Sequence, residues 1–313
     1  MEVLFTFIPK EHQRQQLINE FPEVQFYFEY KDKARLPSAD ILVTFGEDLS
    51  AEDIQQAGQL KWIMVASAGV EKMPHAAIAE REIVVSNVKG IHKTPMTESV
   101  LAHLLSLKRS LPSIYDNQRK KEWSRKTGST ELHESTALII GPGAIGMEIG
   151  RVLQALGVRT IGCNRSGKHA DYMEGMVSFD SILKVLPTVD TVISVLPSTN
   201  ETKYLLKKEH FQAMKNTAIF MNFGRGDLVE DQVLIDALET GEIAYAVLDV
   251  FEQEPLPSDH PFWTMENVVV SPHVSSHSEK YVERALDVFI PNLKLWLAED
   301  AYPTNLVNME KGY

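Results

Sequence analysis

Short runs of Val, Ile and Phe alternate with longer, mixed polar and apolar segments along most of the chain. In the first part the runs are VLFTFI (3–8), VQFYF (24–28), ILVTF (41–45), KWIMVAS (61–67) and EIVVSN (82–87). Between them, segments such as 11–20 and 71–80 are long enough for helices. From residue 136 the pattern sharpens into TALII, RTIGC, TVISVL, TAIFMNF, YAVLDVF and NVVVSP. Runs that are apolar on both faces and separated by helices predict parallel strands buried in an α/β sheet. A chain of 313 residues suits two such domains, so the expectation is α/β with two doubly wound parallel-sheet domains.

The boundary is expected near 88–97. Thr94 and Pro95 read as the N-cap and first position of a helix MTESVLAHLLSLKR, with Val100, Leu101, Leu104 and Leu105 on one face. Segment 118–132 (RKKEWSRKTGSTEL within it) reads as an exposed connection. A last apolar helix, 281–297, follows the final strand and is expected to pack back on the first domain. That would make the first domain discontinuous, 1–92 with 281–313, around a second domain 93–280.

Composition changes the picture only by exclusion. With 44% hydrophobic and 24% charged residues the chain reads as globular, neither disordered nor fibrous. A net charge of -12 argues against nucleic acid or an anionic membrane as a general partner. An anionic small molecule would therefore need cations supplied by its own pocket. The single cysteine, Cys163, excludes an intrachain disulfide and reads as a buried strand residue. No apolar run approaches the roughly 18 residues of a membrane span. The N-terminus enters a strand-like run without a basic, then apolar, leader, so the expected location is cytoplasmic.

GPGAIG, from Gly141 through Gly143, Ala144 and Ile145 to Gly146, fits G-x-G-x-x-G. It follows the strand TALII and opens a segment in which Ile145, Ile149, Val152, Leu153 and Leu156 recur at helical spacing. That context is the one a dinucleotide needs, because small residues let the pyrophosphate sit on the amides of a helix N-terminus. About 20 positions beyond such a loop, an NAD enzyme carries an Asp or Glu for the ribose 2′-hydroxyl. This chain has Asn164, Arg165 and Ser166 there, with Lys168 close behind. A carboxylate repels a 2′-phosphate, whereas Arg165 can clasp one and Ser166 can donate to it. The cofactor expected is NADP, with NAD the alternative.

Three more segments place chemistry at strand ends: Gly224-Arg225-Gly226 in NFGRGD, Asp249, Glu252 and Glu254 in LDVFEQEP, and His273 in VVVSPH. Ligands of open parallel sheets bind outside the carboxyl ends of the strands, so three such ends suggest one site. Taken singly each has a plainer explanation. A histidine after a strand is more often a structural residue, Arg225 can pair with Asp227, and Glu252 rivals Glu254.

With these segments in view, the chain resembles the D-isomer-specific 2-hydroxyacid dehydrogenase family, and more narrowly its NADPH-dependent glyoxylate/hydroxypyruvate reductase branch. SAGVEKM, SNVKGIHKTPMTE, GPGAIG, SVLPSTNET, NFGRGDLVE, LDVFEQEPLP, HPFW and SPH occur in the family's order over nearly the whole length. The resemblance implies a Rossmann nucleotide domain, a discontinuous flavodoxin-like substrate domain and a homodimer. It also implies Arg225 as the substrate-binding arginine, His273 as acid/base and Glu254 as the carboxylate paired with it. By the same resemblance Asp249 lies near the nicotinamide carboxamide, Ala68 and Gly69 hold the substrate carboxylate through backbone amides, and Pro197 and Thr202 line the cofactor.

Physical chemistry agrees with those roles. Reducing a 2-keto acid leaves an alkoxide that needs a proton, and imidazole titrates in the range where it can give one. A neighbouring carboxylate favours the imidazolium, and Arg225 supplies the cation that the acidic surface lacks. No metal is required. His92 and His277 read as weaker candidates, and Trp263 as packing near the hinge. VSSH departs from the small residues many relatives have after the catalytic histidine. A formate- or phosphite-type dehydrogenase, or a nucleotide-sensing corepressor-like binding protein, remains the alternative on the same fold.

Overall fold

The computed structural model describes residues 1–67, 69–70, 72–298 and 303–309. They form two compact units: Met1–Ile91 with Ser278–Tyr313, and His92–His277.

The first unit holds five strands: β1 (Glu2–Phe5), β2 (Gln25–Phe28), β3 (Ile41–Thr44), β4 (Trp62–Val65) and β5 (Val84–Asn87). Every pairing is parallel and the order is β2-β1-β3-β4-β5, the flavodoxin-like order. All four positions of β3 and of β4 are buried, as expected of strands covered on both faces. The helix Tyr281–Leu297 belongs to this unit. Its Phe289 stacks on Trp62 with ring centroids 5.6 Å apart and meets Phe5 edge-on at 5.4 Å. The far end of the chain therefore fills the core begun by its first strand.

The second unit continues with β6 (Thr136–Ile140), β7 (Arg159–Asn164), β8 (Gly175–Ser178), β9 (Thr191–Ser194), β10 (Ile219–Asn222), β11 (Tyr245–Leu248) and β12 (Val268–Val270). They make one parallel sheet in the order β12-β11-β10-β9-β6-β7-β8. Chain direction across the sheet reverses between β6 and β9, and at such a switch point a crevice opens at the strands' carboxyl ends. β8 is absent from the hydrophobic pattern because GMVS is only half-buried and has a glycine where a branched residue would signal a strand.

Two local expectations need correction. The helix expected to start at Thr94-Pro95 spans Lys93–Lys108, with His92 at its N-cap. Thr94 and Pro95 both lie in its first turn, where proline is tolerated because those amides have no intrahelical partner. Val100 and Leu104 are buried, and Leu101 and Leu105 pack beside them. The expected connection at 118–132 begins inside the helix Leu111–Lys120, which buries none of its residues. Beyond it Trp123 is 91% exposed, and Leu132 is buried.

Among the described residues no helix is long and apolar enough to cross a membrane. None of their His, Cys, Asp and Glu side chains form a group of three or more placed to hold a metal ion.

Candidate active site

The glycine loop sits at the switch point. It leaves β6 at Gly141, whose φ of +91 is a conformation L side chains rarely adopt. At Gly146 a Cβ would lie 2.6 Å from the Gly141 carbonyl oxygen, so only glycine lets the helix approach the strand. The helix Ala144–Ala155 then starts with Gly143 at its N-cap and no side chain capping it. Space is open where a Gly143 Cβ would point. An extended phosphate ester fits such a turn, since the amides and the positive end of the helix dipole face it. Gly141, Gly143, Ala144 and Ile145 would thus hold a pyrophosphate.

One strand over, β7 ends at Asn164, whose Oδ1 accepts from the Ser166 amide at 3.1 Å while its Nδ2 donates to the Lys168 carbonyl at 2.9 Å. These bonds close a compact turn, the local habit of asparagine. Arg165 stands on that turn and donates from Nη1 to both carboxylate oxygens of Glu201, at 3.0 and 3.1 Å. Sequence reasoning missed Glu201, which is 36 positions away. Cys163 beneath is fully buried, and burial pushes its thiol up to about 12.

The loop after β9 carries Pro197 and Thr202. Thr202 Oγ1 donates to the Pro197 carbonyl at 2.7 Å and accepts from the Thr199 amide at 2.8 Å. Its side chain fixes the shape of the loop.

After β10 the chain enters Phe223-Gly224-Arg225-Gly226. A Cβ at Gly226 would lie 1.9 Å from the Phe251 carbonyl carbon, and one at Gly224 2.4 Å from the Leu196 oxygen. The glycines on either side of Arg225 are therefore demanded by backbone crossing backbone. Buried Asn222 braces the turn, accepting from the Gly224 amide at 3.1 Å and donating to the Arg225 carbonyl at 2.9 Å. Arg225 Nη1 reaches the Gly224 carbonyl at 2.9 Å, and Asp227 accepts from Ser198 Oγ at 2.6 Å.

His273 follows β12 with φ +54 in the left-handed region, unusual for a non-glycine residue. Its Nδ1 lies 2.8 Å from Glu254 Oε2, and Glu254 Oε1 accepts from the Phe251 amide at 3.1 Å. With Nδ1 engaged, Nε2 is the ring atom left to act on a ligand. The side chains are 46% and 38% exposed, so a small molecule can reach them. Glu252 is committed elsewhere: its oxygens accept from the Tyr204 hydroxyl at 2.8 Å and the Asp231 amide at 2.9 Å. Geometry thus separates the two rival carboxylates.

Asp249 holds the histidine turn from below. Fully buried, it accepts from Ser271 Oγ at 2.6 Å, the Val274 amide at 3.0 Å and the Ser275 amide at 3.1 Å. Three donors compensate a carboxylate that burial would otherwise penalise heavily. All of them come from the segment carrying His273. Nearby on the helix Lys93–Lys108, His103 has its pKa lowered by burial, partly opposed by the Asp249 charge, and its ring faces Phe223.

Of the remaining candidates, Gly69 lies in the first unit, where its carbonyl accepts from Ser67 Oγ at 2.9 Å. Ala68 lies outside the described residues. His92 is buried at its helix N-cap, and the His277 amide donates to the Val274 carbonyl at 2.9 Å. Trp263 is half-exposed and donates its indole N–H to the Pro257 carbonyl at 2.8 Å.

Known proteins resemble this chain along most of its length. The profile of the family described as "D-isomer specific 2-hydroxyacid dehydrogenase, NAD binding domain" matches residues 101–275. A glyoxylate reductase of Aeropyrum pernix is 31% identical over 312 residues, 94% of this chain and 92% of that protein. A D-3-phosphoglycerate dehydrogenase of Methanocaldococcus jannaschii is 30% identical over 278 residues, 88% of this chain but 53% of that longer protein. A crystal structure of a D-isomer specific 2-hydroxyacid dehydrogenase family protein from Aeromonas salmonicida superposes with a TM-score of 0.88. It has 30% identity and covers 98% of this chain and 99% of that one.

Proposed function

The chain belongs to the D-isomer specific 2-hydroxyacid dehydrogenase family, whose members are NAD(P)-dependent dehydrogenases acting on CH–OH donors, and we propose that it reduces glyoxylate, hydroxypyruvate or a similarly small 2-keto acid with NADPH. One observation carries the reading above the rest: the His273 Nδ1–Glu254 Oε2 contact of 2.8 Å beside a Rossmann crevice.

The nicotinamide, when bound, supplies a hydride to C2 of the keto acid. What the chain contributes is position and charge. Arg225 offers a permanent cation to the substrate carboxylate, in a fork that suits two oxygens. As C2 becomes tetrahedral its oxygen gains charge, and His273 gives that oxygen the proton on Nε2. Glu254 engages Nδ1 and so leaves Nε2 for the substrate. In oxidation the same atoms run in reverse. Asp249 acts from beneath by fixing the turn on which His273 stands.

For the cofactor, Arg165 and Ser166 support NADP over NAD, because no carboxylate occupies the residue that follows β7. In this reading the unit His92–His277 binds the nucleotide and the other unit, with Gly69, binds substrate. A homodimer in the cytoplasm completes it. The bare helix Leu111–Lys120 and the adjoining Trp123 support self-association, which the solution mass tests.

Initial rates with glyoxylate, hydroxypyruvate, pyruvate and a bulky 2-keto acid, each with NADPH and NADH, test the proposal. NADPH oxidation is expected to be fastest with the first two acids. Absence of oxidation with all four would sink the chemistry, and preference for NADH would sink only the cofactor assignment.

A further inference from the structure

The Arg165–Glu201 pair has a placement that its sequence neighbours do not explain. Arg165 follows β7 and Glu201 lies in the loop after β9, while the sheet order is β9-β6-β7. The ion pair therefore reaches from one neighbour of β6 to the other, above the strand that ends in the glycine loop. Both side chains are exposed, 72% for Arg165 and 57% for Glu201. Arg165 spends Nη1 on both oxygens of the carboxylate. The two loops that bring them together are independently shaped, one by Asn164 and the other by Thr202.

We propose that Glu201 is a built-in rival of the cofactor's 2′-phosphate for Arg165, and that it sets how strongly the protein prefers NADPH to NADH. The proposal rests on the assignment of Arg165 to the 2′-phosphate made above. A carboxylate and a phosphate monoester ask the same thing of a guanidinium: two oxygens in its plane. Arg165 cannot serve both fully, and the carboxylate also repels the dianion once it arrives. NADH brings no 2′-phosphate, so it gains nothing when Glu201 lets go. Exposure makes the exchange cheap, because surface ion pairs are weak and screened by salt. The carboxylate usually found after the second strand of an NAD site is absent from this chain's turn, and Glu201 puts one back from a different loop. Discrimination is thereby moderated by a residue outside the turn that makes it.

Equilibrium binding of adenosine 2′,5′-bisphosphate and 5′-AMP, followed by calorimetry, tests this without turnover, and NADPH and NADH titrations extend it. Glu201→Gln keeps the shape and removes the charge. It is expected to tighten the bisphosphate and NADPH by about three- to tenfold more than it changes 5′-AMP and NADH. In an Arg165→Ala background the Glu201→Gln effect on the bisphosphate should shrink to less than about half, as a coupled pair requires. Equal tightening of ligands with and without the 2′-phosphate overturns the proposal, since the pair would then only obstruct the crevice. Unchanged or weaker bisphosphate binding in Glu201→Gln overturns it as well. The underlying assignment fails separately, if Arg165→Ala leaves bisphosphate binding as it was.

Discussion

At the β10–β12 side of the seven-stranded sheet, His273 and Arg225 stand on turns fastened from beneath by buried polar side chains. Asp249 takes three hydrogen bonds from the segment 271–275, and Asn222 clamps Gly224 and Arg225 from both sides. At the β7 side, Arg165 stands on an exposed turn and its cationic end meets another exposed side chain, Glu201. One end of the crevice is braced by buried side chains, and the other is tied by an exposed ion pair. Proton transfer needs the first kind, because a donor misplaced by an ångström loses much of its effect. Cofactor preference is content with the second, since a phosphate can pull a flexible guanidinium to itself.

The contrast can be broken most severely at His273. His273→Ala should lower kcat by about 10²- to 10⁴-fold, the usual worth of a positioned acid/base, seen in initial rates at saturating NADPH. Asp249→Ala comes next. It leaves two amides and a hydroxyl without their acceptor, of which the Ser275 amide is buried, and should cost about 1–3 kcal/mol of stability, along with a fall in kcat. Urea unfolding and initial rates measure the two losses. A mutant that stays stable and active would mean that the turn holds itself. Arg165→Ala should show the opposite profile: stability within about 0.5 kcal/mol of the parent, and a KM for NADPH raised about tenfold with little change for NADH.

A smaller effect concerns pH. Burial lowers the pKa of His103, with Asp249 opposing it, and burial likewise lowers that of His210 in the same unit. A histidine whose folded pKa lies below its unfolded one binds fewer protons when folded. The stability it contributes is complete above its unfolded pKa, near 6.5, and is lost as pH falls toward the folded value. Thermal midpoints should therefore drop below about pH 6.5, and His103→Gln with His210→Gln should flatten the drop. A slope unchanged in the double variant would place the acid sensitivity elsewhere.

Both kinds of region were legible in the sequence to different depths. Parallel strands betrayed themselves because burial on both faces leaves unbroken apolar runs; β3, β4 and β6 are plain examples. β8 did not, since a half-buried edge strand can afford polar and glycine positions. Gly141 through Gly146, Arg225, Glu254 and His273 stood out because each follows a strand. The structure adds which carboxylate meets the histidine, a choice between Glu252 and Glu254 that spacing could not make. Asn222 and Asp249 hold turns through backbone atoms, and backbone partners leave no mark in a sequence. Glu201 was hidden for another reason: its tie to Arg165 depends on β6 lying between β7 and β9, which only the folded topology reveals.

The most direct test of the central claim is NADPH oxidation with glyoxylate and with hydroxypyruvate, measured side by side for the parent protein and His273→Ala. The parent is predicted to oxidise NADPH with at least one of these acids, and the variant to do so at least about a hundredfold more slowly while still binding NADPH. A variant turning over at the parent's rate, or a parent that oxidises NADPH with neither acid, would contradict it.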